Sequence, residues 1–170
     1  MAWLHICTYP DTVLMKKAEE VRDINQTLDK LIQDMADTMY SAPGIGLAAP
    51  QVGVSSRLVV IDRSLGKRRA PLVMINPRII SMDGESLEEE GCLSLPDAYG
   101  QVKRAKMVEV EFIDPKGKQM RIIGEDLLAR VFQHEIDHLN GILFIDRMGR
   151  LRRDFLKMRY LKRIKKQKKS

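Results

Sequence analysis

A segment near the carboxyl end, from about Glu125 to Asn140, is predicted to form a helix at the centre of the fold. Its hydrophobic residues recur at helical spacing on two sides, and Gly141 follows as a suitable C-terminal cap. A helix that is apolar on two sides has to be enclosed, so we expect other elements to pack around it. The two stripes consist of Leu128, Phe132, Ile136 and Leu139, and of Leu127, Val131, His134 and His138.

The same helix carries a candidate metal site, because residues 134–138 read His-Glu-Ile-Asp-His. In this H-E-x-x-H pattern the two imidazoles project from one side of the helix and can bind one metal ion. Glu135 lies beside them and can act as a general base. Coincidence is the alternative, with both histidines satisfied by ordinary hydrogen bonds. A catalytic site of this kind needs a third protein ligand and one open coordination position.

The residues downstream of the motif do not supply this third ligand at a familiar spacing. Phe144 stands where the metzincin extension has a histidine. No glutamate follows Glu135, which excludes a thermolysin-like arrangement. Asp146 and Asp154 remain, the first close behind the helix and the second within a basic segment. The third ligand is therefore expected from the upstream part of the chain.

The upstream candidates are His5, Cys7, Cys92 and the acidic residues. Cys92 is favoured, because Gly91 beside it allows a close backbone approach and Pro96 is expected to end the extended run. Two imidazoles and one thiolate suit Zn or Fe(II) and leave a position for water. His5 is predicted to be a surface or structural residue, and Cys7 a buried free thiol.

A glycine-rich segment, Gly44–Gln51, matches the G-x-G-x-x-A pattern of dinucleotide sites. That pattern has to follow a strand and open a helix, whereas this segment follows a predicted helix and reaches Pro50 within a turn. We therefore expect no nucleotide cofactor. The segment is interpreted as a turn that brings its backbone close to another group, with Gln51 as either a fixed amide donor or a plain surface residue.

The other patterns predict an α+β fold. Asn25 is a good N-cap for a helix over roughly residues 25–40, and β-rich runs follow at Arg57–Ile61 and Leu72–Ile75. A β-hairpin is predicted over residues 108–123. A basic helix from about Gly149 is expected to pack on the body through one face, formed by Leu151, Phe155, Met158, Leu161 and Ile164.

Positive charge is concentrated at the carboxyl end of the 170-residue chain. The net charge is +6, but residues 147–170 contain twelve Lys or Arg and one acid, which gives +11 there and −5 over residues 1–146. We expect residues 1–148 to form a single catalytic domain, with residues 149–170 as a basic helix appended to it. Such a charge block favours an anionic partner for the tail, and a merely solvated helix face is the alternative.

Composition also favours a particular compartment. No stretch approaches the roughly 20 apolar residues that a membrane span needs, and the first residues lack the features of a signal peptide. Two cysteines are too few for a disulfide scaffold and suit a reducing compartment. We therefore expect a cytoplasmic protein with no membrane association.

Three segments together resemble the signature motifs of the peptide deformylase family, and the resemblance extends over essentially residues 1–146. They are Gly44–Gln51 (GIGLAAPQ), Glu90–Pro96 (EGCLSLP) and Gln133–Gly141 (QHEIDHLNG). The resemblance implies a bacterial-type enzyme that hydrolyses the formyl group from N-formyl-methionyl nascent peptides and releases formate. It also implies an α+β fold in which small antiparallel sheets surround the H-E-x-x-H helix.

The resemblance assigns roles to residues of this chain. It implies Cys92, His134 and His138 as ligands of one divalent metal ion, usually Fe(II), while Zn, Ni and Co also suit such a site. It implies a metal-bound hydroxide as the attacking group, with Glu135 as general acid and base. Gln51 and the Leu93 backbone N–H would hold the oxyanion. The candidate substrate-binding residues are Gly46, Ile45, Leu127 and Val131.

Some residues near these motifs depart from the family pattern. Tyr99 stands where some members carry a basic residue at the substrate groove. Arg130 stands where an apolar pocket residue is usual, and we expect it to point to solvent along the pocket rim. Asp137 and Arg104 are expected to form an ion pair near the site.

The resemblance also supports docking of the tail, residues 149–170, to ribosomal RNA. Two other functions stay open from the residues alone. One is an H-E-x-x-H peptidase with unusual ligands, which would cut unformylated peptides. The other is a non-catalytic ribosome-binding protein with a structural metal, although Glu135 argues against it because a structural site needs no base.

Overall fold

The computed structural model describes residues 3–65, 67 and 71–169. Within them the chain forms three α-helices and seven β-strands, with short 3-10 turns between some of them. The helices are α1 (Gln26–Ser41), α2 (Asp126–Leu139) and α3 (Arg150–Gln167). The strands are β1 (Gly46–Ala48), β2 (Leu58–Ile61), β3 (Leu72–Asp83), β4 (Ser86–Cys92), β5 (Leu95–Arg104), β6 (Met107–Ile113) and β7 (Gln119–Glu125).

Two antiparallel sheets surround α2. The larger has the strand order β1-β2-β3-β6-β7, and the smaller pairs β4 with β5. Helix α2 contacts β1, β2, β6 and β7, and its Phe132 and Leu139 are fully buried. The predicted α+β class, with small antiparallel sheets around the H-E-x-x-H helix, is confirmed. In the described part of the chain, no helix combines the length and the hydropathy that a bilayer crossing requires.

The first two helices follow the patterns that predict them. The side chain of Asn25 caps α1 by accepting hydrogen bonds from the backbone N–H groups of Thr27 and Leu28. Further along α1, Met35 and Met39 are fully buried against the larger sheet. Both helices lie within one residue of their expected bounds at each end.

Two strands continue past points where the sequence suggests an end. Strand β3 runs beyond Ile75 to Asp83, because Pro77 falls in a register shift between Ile75 and Arg78, where the missing N–H breaks no ladder bond. Pro96 does not end the extended run either. It lies between Leu95 and Tyr99 of β5, where the pairing with β4 shifts register. Each proline marks an irregularity inside a strand and not its end.

The basic helix α3 packs on the body through only part of the predicted face, namely Leu161 and Ile164. Leu151, Phe155 and Met158 are 87%, 56% and 62% exposed, so their expected burial is wrong. The contact is centred on Tyr160, which is buried and lies edge-on to Tyr9 with ring centroids 6.0 Å apart. The contact is not centred on the predicted face, because Tyr160, which lies outside that face, packs on Tyr9. The side chains that pack with Tyr160 are Leu156, Leu161 and Ile164.

Candidate active site

One cavity of about 350 Å³ opens between α2, the β1 region and the β4–β5 hairpin. Helix α2 contributes one wall, the segment around Gly46 and Gln51 a second, and the turn after β4 a third. His138 lies below the cavity, one turn along α2 from His134. All other residues proposed for the site line it, namely Ile45, Gly46, Gln51, Cys92, Leu93, Leu127, Val131, His134 and Glu135.

A three-residue cluster beside the cavity has the geometry of a metal site. The ligand atoms of Cys92, His134 and His138 lie within 4.8 Å of one another, and Cys92 Sγ is 3.3 Å from His138 Nε2. One sulfur and two imidazole nitrogens suit Zn or Fe(II) and leave a coordination position on the cavity side. Cys92 reaches the cluster because β4 ends there in an irregular turn to β5. The donor set therefore fits a divalent metal ion.

A buried carboxylate, Glu90, orients one of the histidines. His134 Nδ1 lies 2.9 Å from Glu90 Oε2, which leaves Nε2 for the cluster. Arg104 binds Glu90 through two hydrogen bonds of 2.8 and 3.0 Å. Burial alone would raise the pKa of Glu90, but hydrogen bonds from His134 and Arg104 hold that pKa well below the usual carboxyl range. Glu90 therefore stays ionised and fixes the His134 ring.

The surroundings of the two histidines shift their pKa values in opposite directions. Burial would lower the pKa of His134, but hydrogen bonds with Cys92 and Glu90 outweigh it and raise that pKa above the ordinary value. Burial, followed by the charges of His134 and Arg104, lowers the pKa of His138. A neutral imidazole is the form that binds a metal ion.

Glu135 is buried, and its Oε2 has no hydrogen-bond partner among the described residues. Burial raises the pKa of this carboxyl to about 7, in the range that suits a group that both takes and gives a proton. Gly46 faces it so closely that an added Cβ would lie 2.5 Å from Glu135 Oε1. Only glycine therefore leaves room for the carboxylate at this point of β1.

Gln51 is a fixed amide and not a surface residue. It is buried in the 3-10 turn after β1, and its Oε1 accepts a hydrogen bond of 2.9 Å from Ala48 N–H. This bond turns Nε2 towards the cluster, where it lies 3.5 Å from Cys92 Sγ and donates to Ser94 Oγ at 3.2 Å. Ser94 is fully buried and its N–H donates to Cys92 Sγ. Sequence reasoning did not single out Ser94, although it lies two residues after the candidate ligand.

The remaining wall of the cavity is apolar. Val131 is buried, Ile45 is half-buried, and Leu127 is exposed at the mouth of the cavity. Tyr99 is exposed at the same mouth, with its ring against Gly91. Apolar walls around a few polar groups are typical of a pocket for a hydrophobic side chain.

The expectation that Arg130 points to solvent is wrong. Arg130 is only 5% exposed and donates to Glu90 Oε1 at 2.7 Å and to the Val102 carbonyl at 2.9 Å. It lies one turn before His134 on α2 and therefore faces the β4–β5 hairpin, where Glu90 needs positive charge. The expected ion pair of Arg104 with Asp137 is confirmed, with Arg104 Nη1 2.6 Å from Asp137 Oδ2.

The other upstream ligand candidates lie outside the cluster. His5 is exposed, as expected for a surface residue. Cys7 is a free thiol as expected, but it is half-buried and not buried, and its backbone N–H donates to the Gln51 carbonyl. Neither residue joins the ligand group that includes Cys92.

A Cys-His-His cluster and an unpartnered glutamate at one cavity, on the central helix of an α+β fold, define a metal-dependent hydrolase. The family model described as polypeptide deformylase matches residues 3–154. The chain therefore belongs to the peptide deformylase family. Members are metal-dependent hydrolases that remove the formyl group from N-formyl-methionyl nascent peptides during translation. The predicted family and reaction are thereby confirmed.

The chain matches peptide deformylases over nearly its whole length. It is 52% identical over 161 residues to the peptide deformylase of Thermodesulfovibrio yellowstonii, covering 94% of this chain and 98% of the relative. The peptide deformylase of Syntrophobacter fumaroxidans is 49% identical, with 97% and 98% covered. The crystal structure of a peptide deformylase from Legionella pneumophila superposes with a TM-score of 0.92 at 47% identity, with 99% of each chain covered.

Proposed function

We propose that this chain deformylates nascent peptides with one divalent metal ion held by Cys92, His134 and His138. The observation that carries this assignment is the cavity in which that cluster adjoins the unpartnered carboxylate of Glu135. A structural metal site usually has four protein ligands, whereas this cluster offers three and leaves a position for a reacting group. The site thus favours catalysis over a purely structural metal.

Glu135 is proposed as the group that moves protons. A divalent metal ion held by Cys92, His134 and His138 would supply Lewis acidity at this site. Glu135 accepts the proton of the attacking water and later donates it to the departing amine. A pKa near 7 suits both steps, because the carboxyl can change protonation state near neutral pH. The products are formate and a free α-amino group.

Gln51 and Leu93 are proposed to stabilise the oxyanion that develops on the formyl oxygen. The Gln51 amide is held through its Oε1 by Ala48 N–H, so its Nε2 faces the cluster and can exchange a contact with Ser94 or Cys92 for one with the developing charge. Leu93 lines the same cavity, and its backbone N–H is proposed as the second donor. Removing one such donor typically costs about 3–4 kcal/mol of transition-state stabilisation.

The apolar part of the cavity is proposed to hold the methionine side chain. Ile45, Leu127 and Val131 supply this wall, and the backbone of Gly46 is proposed to bind the backbone of the substrate. A formyl carbon carries only hydrogen, so a crowded end of the cavity excludes larger acyl groups and internal peptide bonds.

We propose Fe(II) as the metal in the cell. A thiolate with two imidazoles also accepts Zn, Ni or Co, so availability and not affinity selects the ion. We also propose the cytoplasm as the compartment, since nascent peptides are made there.

The first experiment measures formate release from formyl-Met-Ala-Ser by protein purified without oxygen and loaded with Fe(II). We expect rapid release, and we expect the variant Glu135→Gln to lose about 100-fold or more of kcat while it still binds metal. The unformylated peptide should stay intact. Cleavage of that peptide would instead favour an H-E-x-x-H peptidase, and no release by the metal-loaded protein would contradict the proposal.

Residues 149–170 are proposed to form a docking helix appended to a catalytic domain of residues 1–148, with ribosomal RNA as its partner. Lys165, Lys168 and Lys169 are exposed at the carboxyl end of α3. Replacing all three with glutamine should weaken co-sedimentation with bacterial ribosomes and reduce its dependence on salt. Unchanged sedimentation would contradict the docking role. Substitution is preferred to deletion of the helix, because Tyr160 belongs to the core.

A further inference from the structure

A second and larger cavity lies next to the catalytic one, between β5 and α3. It has a volume of about 850 Å³ and is called the basic groove below. One wall is the segment Asp97–Gln101, and the other is the side of α3 that carries Arg152, Phe155 and Arg159. Met148 and Tyr160 lie between the two walls. None of these residues, apart from Tyr99, borders the catalytic cavity.

The basic groove has a strong excess of positive charge. Five cationic side chains line it against one carboxylate, that of Asp97. Arg163 is the cation nearest to this carboxylate, at 3.7 Å, and it also donates to the Pro96 and Asp97 carbonyls. Arg163 therefore fastens α3 to β5. The other four are Arg152, Arg159, Lys162 and Lys166.

Two of these cations are available to a ligand. Among the described residues, neither Arg152 nor Arg159 forms an ion pair, and both are exposed. Arg159 lies over the ring of Phe155, 5.6 Å from its centroid, which limits its movement without neutralising it. Along α3 the two arginines are seven residues and therefore about 10 Å apart, a length that about three residues of extended peptide span.

Tyr99 connects the basic groove with the catalytic cavity. Its side chain borders both, and its ring packs on Gly91, where an added Cβ would lie 2.6 Å from Tyr99 Cε1. The catalytic cavity, with a volume of about 350 Å³, has room for a methionine side chain and a short piece of backbone. The rest of a nascent peptide has to leave across the rim, and at Tyr99 this rim leads directly into the basic groove.

We propose that the basic groove binds acidic residues of the substrate peptide itself, several positions downstream of the formyl-methionine. This inference rests on the proposed function, because it needs the methionine in the catalytic cavity. The chain thereby prefers nascent peptides whose early sequence carries Asp or Glu after the first few residues. Continuity with the catalytic cavity favours the peptide over an RNA strand, because a peptide whose methionine occupies that cavity continues across the shared rim at Tyr99.

The test compares two formylated peptides that both begin formyl-Met-Ala-Ser-Gly, one continuing with four glutamates and the other with four glutamines. At low ionic strength we expect a KM about three- to tenfold lower for the glutamate peptide, with similar kcat. The difference should vanish in about 0.5 M salt, which screens charges beyond a few ångströms. Equal KM values at low salt would overturn the proposal.

Matched variants locate the effect on the protein. Arg152→Gln/Arg159→Gln should abolish the preference for the glutamate peptide, whereas Lys165→Gln/Lys168→Gln removes the same charge outside the groove and should keep it. Short formyl-Met-Ala-Ser should be turned over equally by all three proteins, which shows that fold and chemistry are intact. If the unaltered protein does not turn over formyl-Met-Ala-Ser, the proposed function fails. Fluorescence anisotropy with the labelled glutamate peptide would then measure binding to the basic groove independently of catalysis.

One result would overturn the proposal while the chemistry stays intact, namely a preference that survives in Arg152→Gln/Arg159→Gln. If this variant also loses binding to a ribosomal RNA hairpin, the basic groove is a nucleic-acid site.

Discussion

At the scale of single residues, the buried carboxylate of Glu90 connects a candidate metal ligand, His134, with two arginines. Its two oxygens receive hydrogen bonds from Arg104, Arg130 and His134, all in a buried setting. Because the carboxylate is ionised and fixed, the His134 ring is held with Nε2 towards Cys92. A carboxylate that hydrogen-bonds a metal-binding histidine commonly raises metal affinity, because it fixes the orientation of the ring.

We therefore expect Glu90→Gln to lower metal affinity by about 10- to 100-fold, because an amide neither fixes the ring nor balances two arginines. Competition of the loaded protein with a coloured chelator measures this. Glu85→Gln, the same change at an exposed position just before β4, is the control and should leave affinity unaltered. Equal affinities of both variants would show that Glu90 has no part in metal binding.

Arg130 gives a stability prediction. Replacing it with methionine keeps much of the side-chain volume but leaves the carbonyl of Val102 and part of Glu90 without a donor. We expect a loss of about 2–3 kcal/mol in the free energy of unfolding, measured by urea titration. Arg121→Met, at an exposed position on β7, should cost about 1 kcal/mol or less. A loss at Arg130 no larger than this would contradict the structural role.

At the scale of elements, the contact between β1 and α2 decides where the Glu135 carboxylate lies. Strand β1 runs at the edge of the larger sheet, directly against the metal-binding face of the helix. Gly46 is the point of closest approach, since any side chain there would enter the space of the carboxylate. The same strand leads into the turn that holds Gln51.

Gly46→Ala is therefore expected to displace Glu135 and to lower kcat by about 100-fold, since positioned acid–base catalysis contributes at least that much. The free energy of unfolding should change far less, because the group displaced is the end of one side chain. The control is Gly149→Ala, where an added Cβ meets nothing within 4 Å. Full activity of Gly46→Ala would disprove the steric argument.

The larger sheet contains a charged cross-strand cluster that makes its stability depend on pH. Glu111 on β6 is bonded by Arg78 on β3 and by Arg121 on β7, and these hydrogen bonds lower its pKa. A lowered pKa in the folded state stabilises the protein above the carboxyl's ordinary pKa of about 4.3, and this contribution is lost as pH falls through the lowered value.

The variant Glu111→Gln should thus be less stable than the parent at pH about 6, and the gap should narrow below pH about 4. Urea titrations at several pH values measure it. When Arg78→Met and Arg121→Met are already present, adding Glu111→Gln should change the free energy of unfolding by nearly the same amount at every pH. A gap that stays constant with pH would mean that the arginines do not act on Glu111.

How far the elements could be predicted depends on what determines each one. Helix α2 and its histidines follow from periodicity and motif alone, because both are local properties of the sequence. The continuation of β3 past Pro77 does not, since whether a proline ends a strand depends on the register of its neighbour. The packing face of α3 was predicted only in part, because its centre, Tyr160, packs on Tyr9, which lies far away in sequence. The buried position of Arg130 depends in the same way on Glu90 across the site.

At the scale of the whole molecule, the candidate metal ligands come from two separately formed parts. Cys92 belongs to the β4–β5 hairpin, whereas His134 and His138 belong to α2. A metal ion that binds all three joins these parts only in the folded state. Its binding energy is therefore also folding energy.

Removing the metal with a chelator should accordingly lower the melting temperature. At a metal concentration of about 100 times Kd, the expected stabilisation is about 2.7 kcal/mol. Differential scanning calorimetry with and without chelator measures the shift. His138→Ala should melt at the same temperature in both conditions. A chelator-independent melting temperature of the parent chain would contradict the assigned ligand set.

The uneven distribution of charge also governs how this molecule approaches a partner. A part with −5 next to a segment with +11 makes the chain a large electric dipole. In the field of a polyanion such a dipole rotates before any contact forms, so the α3 side arrives first and brings the Tyr99 rim with it. Orientation is then selected during diffusion, over about one Debye length, or 10 Å at 0.1 M salt.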